Sequence, residues 1–404
     1  MRIAVGVFFL VLVALVLPPL PDGAEVPRWA WATLVAAGLF FAIRPGPWFW
    51  YAMGYLTVMA VLNPVGYTAS LYYMHFAVLA IVFWFFRERD YMTAITVGAA
   101  VGMALNSLAV LAQLGGWTYI PQLVPMSGLF YNRNMGAEAA AMILMLVVVM
   151  ARTNWRFYFL VPGILPTLYW GSRAPIIALG VAGALALWRR SPLAGPFASM
   201  MVFLGATLFT VSIMHEGGLE TLLVRTGTWL DMLPAMRPWG HGLGSFVDLF
   251  PLYERHSNML TLRFENAHND FLQVAFELGV VFAVALAALV IAQLWGAPRS
   301  PAWYGLVVFL VEGCFGFPLY QPATGCLAMA CAGYLFRDRV CLYDMFTAWR
   351  SRVRPRDTHQ RPETLPAGVA AFPAGAELSV RSRLFRDNRE RPGIGALDRA
   401  GFGA

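Results

Sequence analysis

Apolar runs of 15 to 27 residues recur from the first residue to about position 336, most of them separated by short turns that carry charged residues. A bilayer core asks for about 20 apolar residues per helix. Backbone groups in lipid must be satisfied inside the segment or in a closed barrel, so runs of this length dictate helices. Composition agrees: 59% of residues are hydrophobic and 13% charged, against roughly 25% charged in a soluble domain. The predicted fold is an all-α, polytopic transmembrane helical bundle of about 12 spans. The spans are drawn at 3–18, 28–43, 48–62, 69–86, 92–114, 135–151, 156–171, 174–188, 196–214, 268–294, 301–317 and 322–336. The first run resembles a signal peptide, but no clear small-x-small cleavage site precedes Glu25, and it is read as a span.

Every one of the 29 basic residues is arginine, which excludes Schiff-base and other lysine chemistry. The net charge of +7 is concentrated in residues 337–404. It describes a basic tail rather than a nucleic-acid-binding surface. The four cysteines, Cys314, Cys326, Cys331 and Cys341, fit neither zinc nor disulfide spacing and read as small apolar residues.

With the N-terminus inside, the cytoplasmic turns receive Arg2, Arg44, Arg87, Arg89, Arg152, Arg156, Arg189, Arg190, Arg299 and the tail. Arginine bias in short loops sets orientation, so both termini are predicted to be cytoplasmic. Arg28, Arg133, Arg173, Arg225, Arg237, Arg255 and Arg263 run against that bias and need another explanation. Residues 1–336 form the predicted transmembrane catalytic domain. Its one long outer loop, 215–267, carries leucines and Trp229 at helical spacing up to Pro234, as in a helix at the membrane interface. A glycine-rich turn, Pro238-Trp-Gly-His-Gly-Leu-Gly-Ser245, follows. Residues 337–404 are the tail: an interfacial helix over 340–353, then a Pro, Gly and Arg-rich stretch predicted to be disordered.

Soluble-enzyme motifs are absent. The sequence has no phosphate-binding glycine loop, no HExxH, and no Asp-x-Asp to hold a divalent metal. What remains is a polar group on the outer side. Arg173, between two apolar runs, and Arg225, on the loop helix, offer planar donor forks that suit phosphate oxygens. His268, at a helix start, can accept a proton at neutral pH; the ordinary reading of such a histidine is structural. Glu265, Asn269 and Asp270 are near enough in sequence to orient its ring. Glu277 and Glu312 lie within apolar runs, where acids are costly. They could line a cavity, pair with an outer arginine, or serve as hydrogen-bonded structural groups.

These residues carry a resemblance. Ala267-His-Asn-Asp-Phe-Leu-Gln273 with Glu277-Leu-Gly279 is similar to the helix-start signature of the O-antigen ligase and polymerase superfamily. Ser172-Arg173 resembles that family's Ser-Arg element. Arg225 with Trp229, then Pro238 through Phe246, resembles its arginine helix and glycine turn. Asn132-Arg-Asn134 resembles its Asn-x-Asn element. Phe282 stands where the ligase pattern has Gly, Thr or Tyr.

The resemblance implies a multi-pass enzyme of the bacterial inner (plasma) membrane with its active site facing the periplasm. It implies inverting, metal-independent glycan transfer without a cofactor. The donor would be a glycan on undecaprenyl diphosphate and the acceptor a hydroxyl of lipid A core. Arg173 and Arg225 would hold the diphosphate, and His268 would activate or position the acceptor. Asn134, Ser172, Gly240, Gly242, Asn269 and Glu277 would line the substrate site. With a growing glycan as acceptor the same residues make a repeat-unit polymerase, and with a protein hydroxyl an O-oligosaccharyltransferase. An anion transporter is the competing class. It is disfavoured because the polar group lies at one face and no half-to-half symmetry is evident. Membrane lipids are expected partners; nucleic acid is not.

Overall fold

The computed structural model describes residues 1–16, 25–117, 125–130, 132–169, 174–188, 218–255 and 265–337, with only the backbone of 218–222. The chain divides into two units, 1–340 and 341–404. The second unit, with the predicted interfacial helix and disordered tail, lies outside the described residues, as does the span drawn at 196–214.

Among the described residues every regular element is helical. The order is α1 (Arg2–Ala14), α2 (Glu25–Phe40), α3 (Pro47–Leu62), α4 (Gly66–Arg87), α5 (Met92–Leu114), α6 (Arg133–Ala151) and α7 (Leu165–Tyr169). It continues with α8 (Ala174–Trp188), α9 (Gly218–Ala235), α10 (Phe246–Leu249), α11 (Asp270–Leu278), α12 (Val280–Gly296), α13 (Pro301–Gly313) and α14 (Pro322–Phe336). Three of these, α4, α5 and α6, are long and apolar enough to cross a membrane; α1, α8, α12, α13 and α14 are shorter apolar helices.

Small residues govern the packing. Gly98 and Gly102 of α5 are four apart, and a Cβ on either would run into the backbone of α1 at Gly6 and Leu10. This small-xxx-small spacing brings two helix backbones together where lipid supplies no hydrophobic drive. Phe9 and Leu12 of α1 are consequently fully buried.

Arginines tie the ends. The Arg89 guanidinium donates to Ala42 O (2.9 Å) and Arg299 to Leu185 O (2.6 Å), and Arg337 lies 3.7 Å from Asp90. These contacts join the turns predicted to be cytoplasmic. Exposed aromatics cluster there too, at Phe41, Trp48, Trp50, Tyr51, Trp155, Phe159 and Trp295, a composition that suits a membrane–water interface. One of the arginines running against the bias now has its explanation. Arg28 is fully buried, donates to Val13 O (2.7 Å), Leu129 O (3.2 Å) and Glu25 (3.3 Å), and lies 3.8 Å from the Phe130 ring centroid.

Two predicted spans are not single helices. The stretch 156–171 is, as far as Tyr169, a 3₁₀ helix (Trp155–Leu160) followed by the five-residue α7. Pro162-Gly163 separates the two, and a Cβ at Gly163 would press 2.8 Å from Ala104 Cβ of α5. The 268–294 run breaks at Gly279, whose φ of +96° no helix can include. The 237–242 turn fills that break. His241 and Gly242 amides donate to Phe276 O (2.9 Å) and Glu277 O (3.0 Å), while Val280 and Val281 amides donate to Arg237 O (3.2 Å) and Pro238 O (3.3 Å). Backbone groups freed by the break are thus paired with another backbone, as an apolar surrounding requires.

Candidate functional site

The start of α11 explains its own motif. Asn269 caps the helix, its side-chain oxygen accepting from the Leu272 amide (3.0 Å) while its amide nitrogen donates to Cys314 O (3.1 Å). Gln273 reaches back to accept from the Ala267 amide (2.9 Å) and donates to Glu277 (3.1 Å). Asp270 Oδ2 accepts from the Leu319 amide (2.9 Å). Trp229 of α9 donates to Ala267 O (2.9 Å). These bonds clamp the residue between Ala267 and Asn269, which is His268.

His268 pays for that position. Its φ is +52°, a left-handed conformation that costs a non-glycine residue on the order of 1–3 kcal/mol and collects at functional sites. The ring stands edge-on to Phe317, with centroids 5.1 Å apart. Burial, and then the Arg225 charge, push its imidazole down to about 3. At neutral pH both influences favour the uncharged ring. Asn269 and Asp270, suggested as orienters, spend these bonds on the cap, Cys314 and Leu319.

Arg225 donates from Nη1 to Phe315 O (2.9 Å). Burial lowers its basicity and the Glu138 carboxylate partly restores it. It interacts electrostatically with both His268 and Glu138. Glu138 is fully enclosed on α6, one turn beyond Asn134; its Oε2 accepts from Gln321 Nε2 (2.6 Å), and Gly316 leaves room for Oε1. Asn134 itself is half-buried, and its backbone amide donates to the Asn132 side chain, the cap of α6 (2.9 Å). Glu312 is buried with neither carboxylate oxygen hydrogen-bonded, and Asp270 Oδ1 is in the same state.

The site thus draws on four segments: the start of α6, α9, the Ala267–Asp270 stretch, and the end of α13 with the 314–321 turn that follows it. The structure brings His268, Arg225 and Asn269 together. Ser172 and Arg173 lie outside the described residues. Sequence reading missed Glu138, Gln321 and the 314–321 turn. An acid inside an apolar run was the available signal for Glu138.

Gly240, Gly242 and Glu277 sit elsewhere. The glycines have φ of +76° and +106°, and a Cβ on Gly240 would meet the α11 backbone at Glu277, one on Gly242 the α3 end at Asn63. Glu277 accepts from the Gly244 amide (3.1 Å), Gln273 (3.1 Å) and Tyr320 (3.3 Å). The three lock the glycine turn into the helix break. His241 of the glycine turn is held by Ala235 O (2.7 Å) and stacked 4.3 Å from Phe276.

The leucine face of α9 points outward: Leu223, Leu230 and Leu233 are exposed, whereas Thr228, Asp231, Met232 and Ala235 are buried. Among the described residues no group of three His, Cys, Asp or Glu side chains is arranged to hold a metal ion. Compared with known proteins, the chain matches no family model and no curated sequence.

Proposed function

We propose that the chain is a membrane glycosyltransferase of the O-antigen-ligase type, moving a glycan from undecaprenyl diphosphate to an acceptor hydroxyl of lipid A core at the periplasmic face. The observation that carries this reading is the strained His268, held by its own motif block beside Arg225. The apolar helices and outward leucine face of α9 support a membrane setting, in which a lipid-linked donor would arrive sideways.

In the proposed reaction the acceptor oxygen bonds to the sugar's anomeric carbon as the bond from that carbon to the diphosphate oxygen breaks, with inversion. Arg225, with Arg173, balances the charge growing on the leaving diphosphate; fixed donors aimed at developing charge are the largest single source of catalysis in many sites. His268, neutral, accepts the hydrogen bond of the acceptor hydroxyl and orients it. A bound diphosphate offsets the Arg225 charge that depresses the imidazole, so donor arrival strengthens His268 as a base. The acceptor proton passes through His268 to the departing diphosphate or to water.

One observation favours the alternative, a repeat-unit polymerase. Phe282 departs from the ligase pattern and stacks 4.8 Å from Tyr55 beneath the helix break. Purified protein given a lipid-linked glycan and lipid A core in excess EDTA tests the proposal. Glycan joined to the core supports ligase; glycan joined only to glycan supports polymerase; activity lost to EDTA and restored by magnesium overturns the metal-independent mechanism.

A further inference from the structure

A groove of about 570 Å³ runs between α1 and α5, within the range of roughly 300–1,000 Å³ usual for ligand sites. Its mouth carries Arg2, Asp90 and Thr93, at the arginine-bearing end of the bundle. Its walls are apolar, formed by Val7, Val97 and Val101 around Gly6 and Gly98. The crease exists because the two glycines bring the backbones together and have no side chains to fill the space beside them.

Size and charge specify an occupant. The groove starts at Asp90, in the turn before α5, and follows that helix from Met92 to Val101, about 14 Å at 1.5 Å per residue. Half of a hydrocarbon core of about 30 Å is about 15 Å, so the groove spans one leaflet, from headgroup level to midplane. A helix from a second copy would need a seam through both leaflets. At the mouth Asp90 is engaged by Arg337 (3.7 Å) and by the Met92 amide (3.3 Å). With Asp90 so engaged, Arg2 is the other charged side chain lining the groove, and it suits an anionic group at the mouth.

We propose that this groove binds one acyl chain of an anionic glycerophospholipid, with its phosphate on Arg2. The inference rests on the membrane setting proposed above and is independent of the His268 chemistry. It is tested on the full chain, purified in detergent, by native mass spectrometry with added phosphatidylglycerol or phosphatidylethanolamine. One phosphatidylglycerol should be retained about fivefold more tightly than phosphatidylethanolamine, the preference expected of one arginine at a charged headgroup. Arg2→Gln should abolish the preference. Val97→Phe, entering from the half-exposed rim, should weaken retention of both lipids at least tenfold without changing the melting temperature. Equal retention of the two lipids by wild type would mean an ordinary surrounding lipid and overturn the proposal. Undiminished retention by Val97→Phe would overturn the site, and a dimer that Val97→Phe dissociates would assign the groove to a second copy. A chain recovered outside the membrane fraction would instead refute the membrane setting itself.

Discussion

Replacing His268 by glycine and by alanine separates the strain at this position from the chemistry of its ring. Both substitutions remove the imidazole and its edge contact with Phe317 (5.1 Å), so the difference between them isolates the backbone. At φ +52° a left-handed L-residue costs about 1–2 kcal/mol, which alanine keeps and glycine sheds. Glycine loses about 0.5–1 kcal/mol to its freer unfolded chain. The net difference should favour His268→Gly over His268→Ala by about 0.5–1 kcal/mol. Domains of 150–250 residues shift by about 2–4 °C per kcal/mol, so in this longer chain the gap should be about 1 °C, read by thermal melting in one detergent. Both variants should lose transfer about a hundred-fold or more. An alanine variant as stable as the glycine variant would show that His268 is not held in the left-handed region, and the strain argument would fall.

Transfer should be flat from about pH 5 to 8. The folded-state value of His268 is depressed to about 3, so its neutral form persists above that value and is lost only as pH falls toward it. A limb centred between 6 and 7 in the free-enzyme profile would contradict the burial described here. Gly279→Ala should destabilise the chain by about 1–3 kcal/mol from φ alone, and by more because a Cβ there also meets the Pro238 and Trp239 backbone. A melting temperature equal to wild type would refute the account of the filled helix break.

Hydropathy made α4, α5 and α6 legible, since each is long and apolar, and the helix ending at Pro234 was legible from its leucine spacing. The break at Gly279 was not. A 27-residue apolar run looks continuous when the groups that pair with the broken backbone come from a turn about 40 residues earlier in the chain. The partners of Arg28 were not legible, because nothing local indicates carbonyls at Val13 and Leu129 converging on it. The Ala267–Gln273 block was legible as a unit, and the structure gives most of its polar side chains a bond. The depressed imidazole was not legible, for it arises from tertiary burial and from a guanidinium 43 positions away in sequence.

The central claim is that Arg225 serves the donor while His268 serves the acceptor. It is tested most directly by measuring donor binding and glycan transfer separately, in one purified preparation, for wild type, Arg225→Lys and His268→Ala. The account predicts that His268→Ala binds the undecaprenyl-diphosphate donor as wild type does but transfers about a hundred-fold less. It predicts that Arg225→Lys, which keeps the charge and loses the planar fork, weakens donor binding along with transfer. Wild-type transfer by His268→Ala, or unchanged donor affinity in Arg225→Lys, would contradict it.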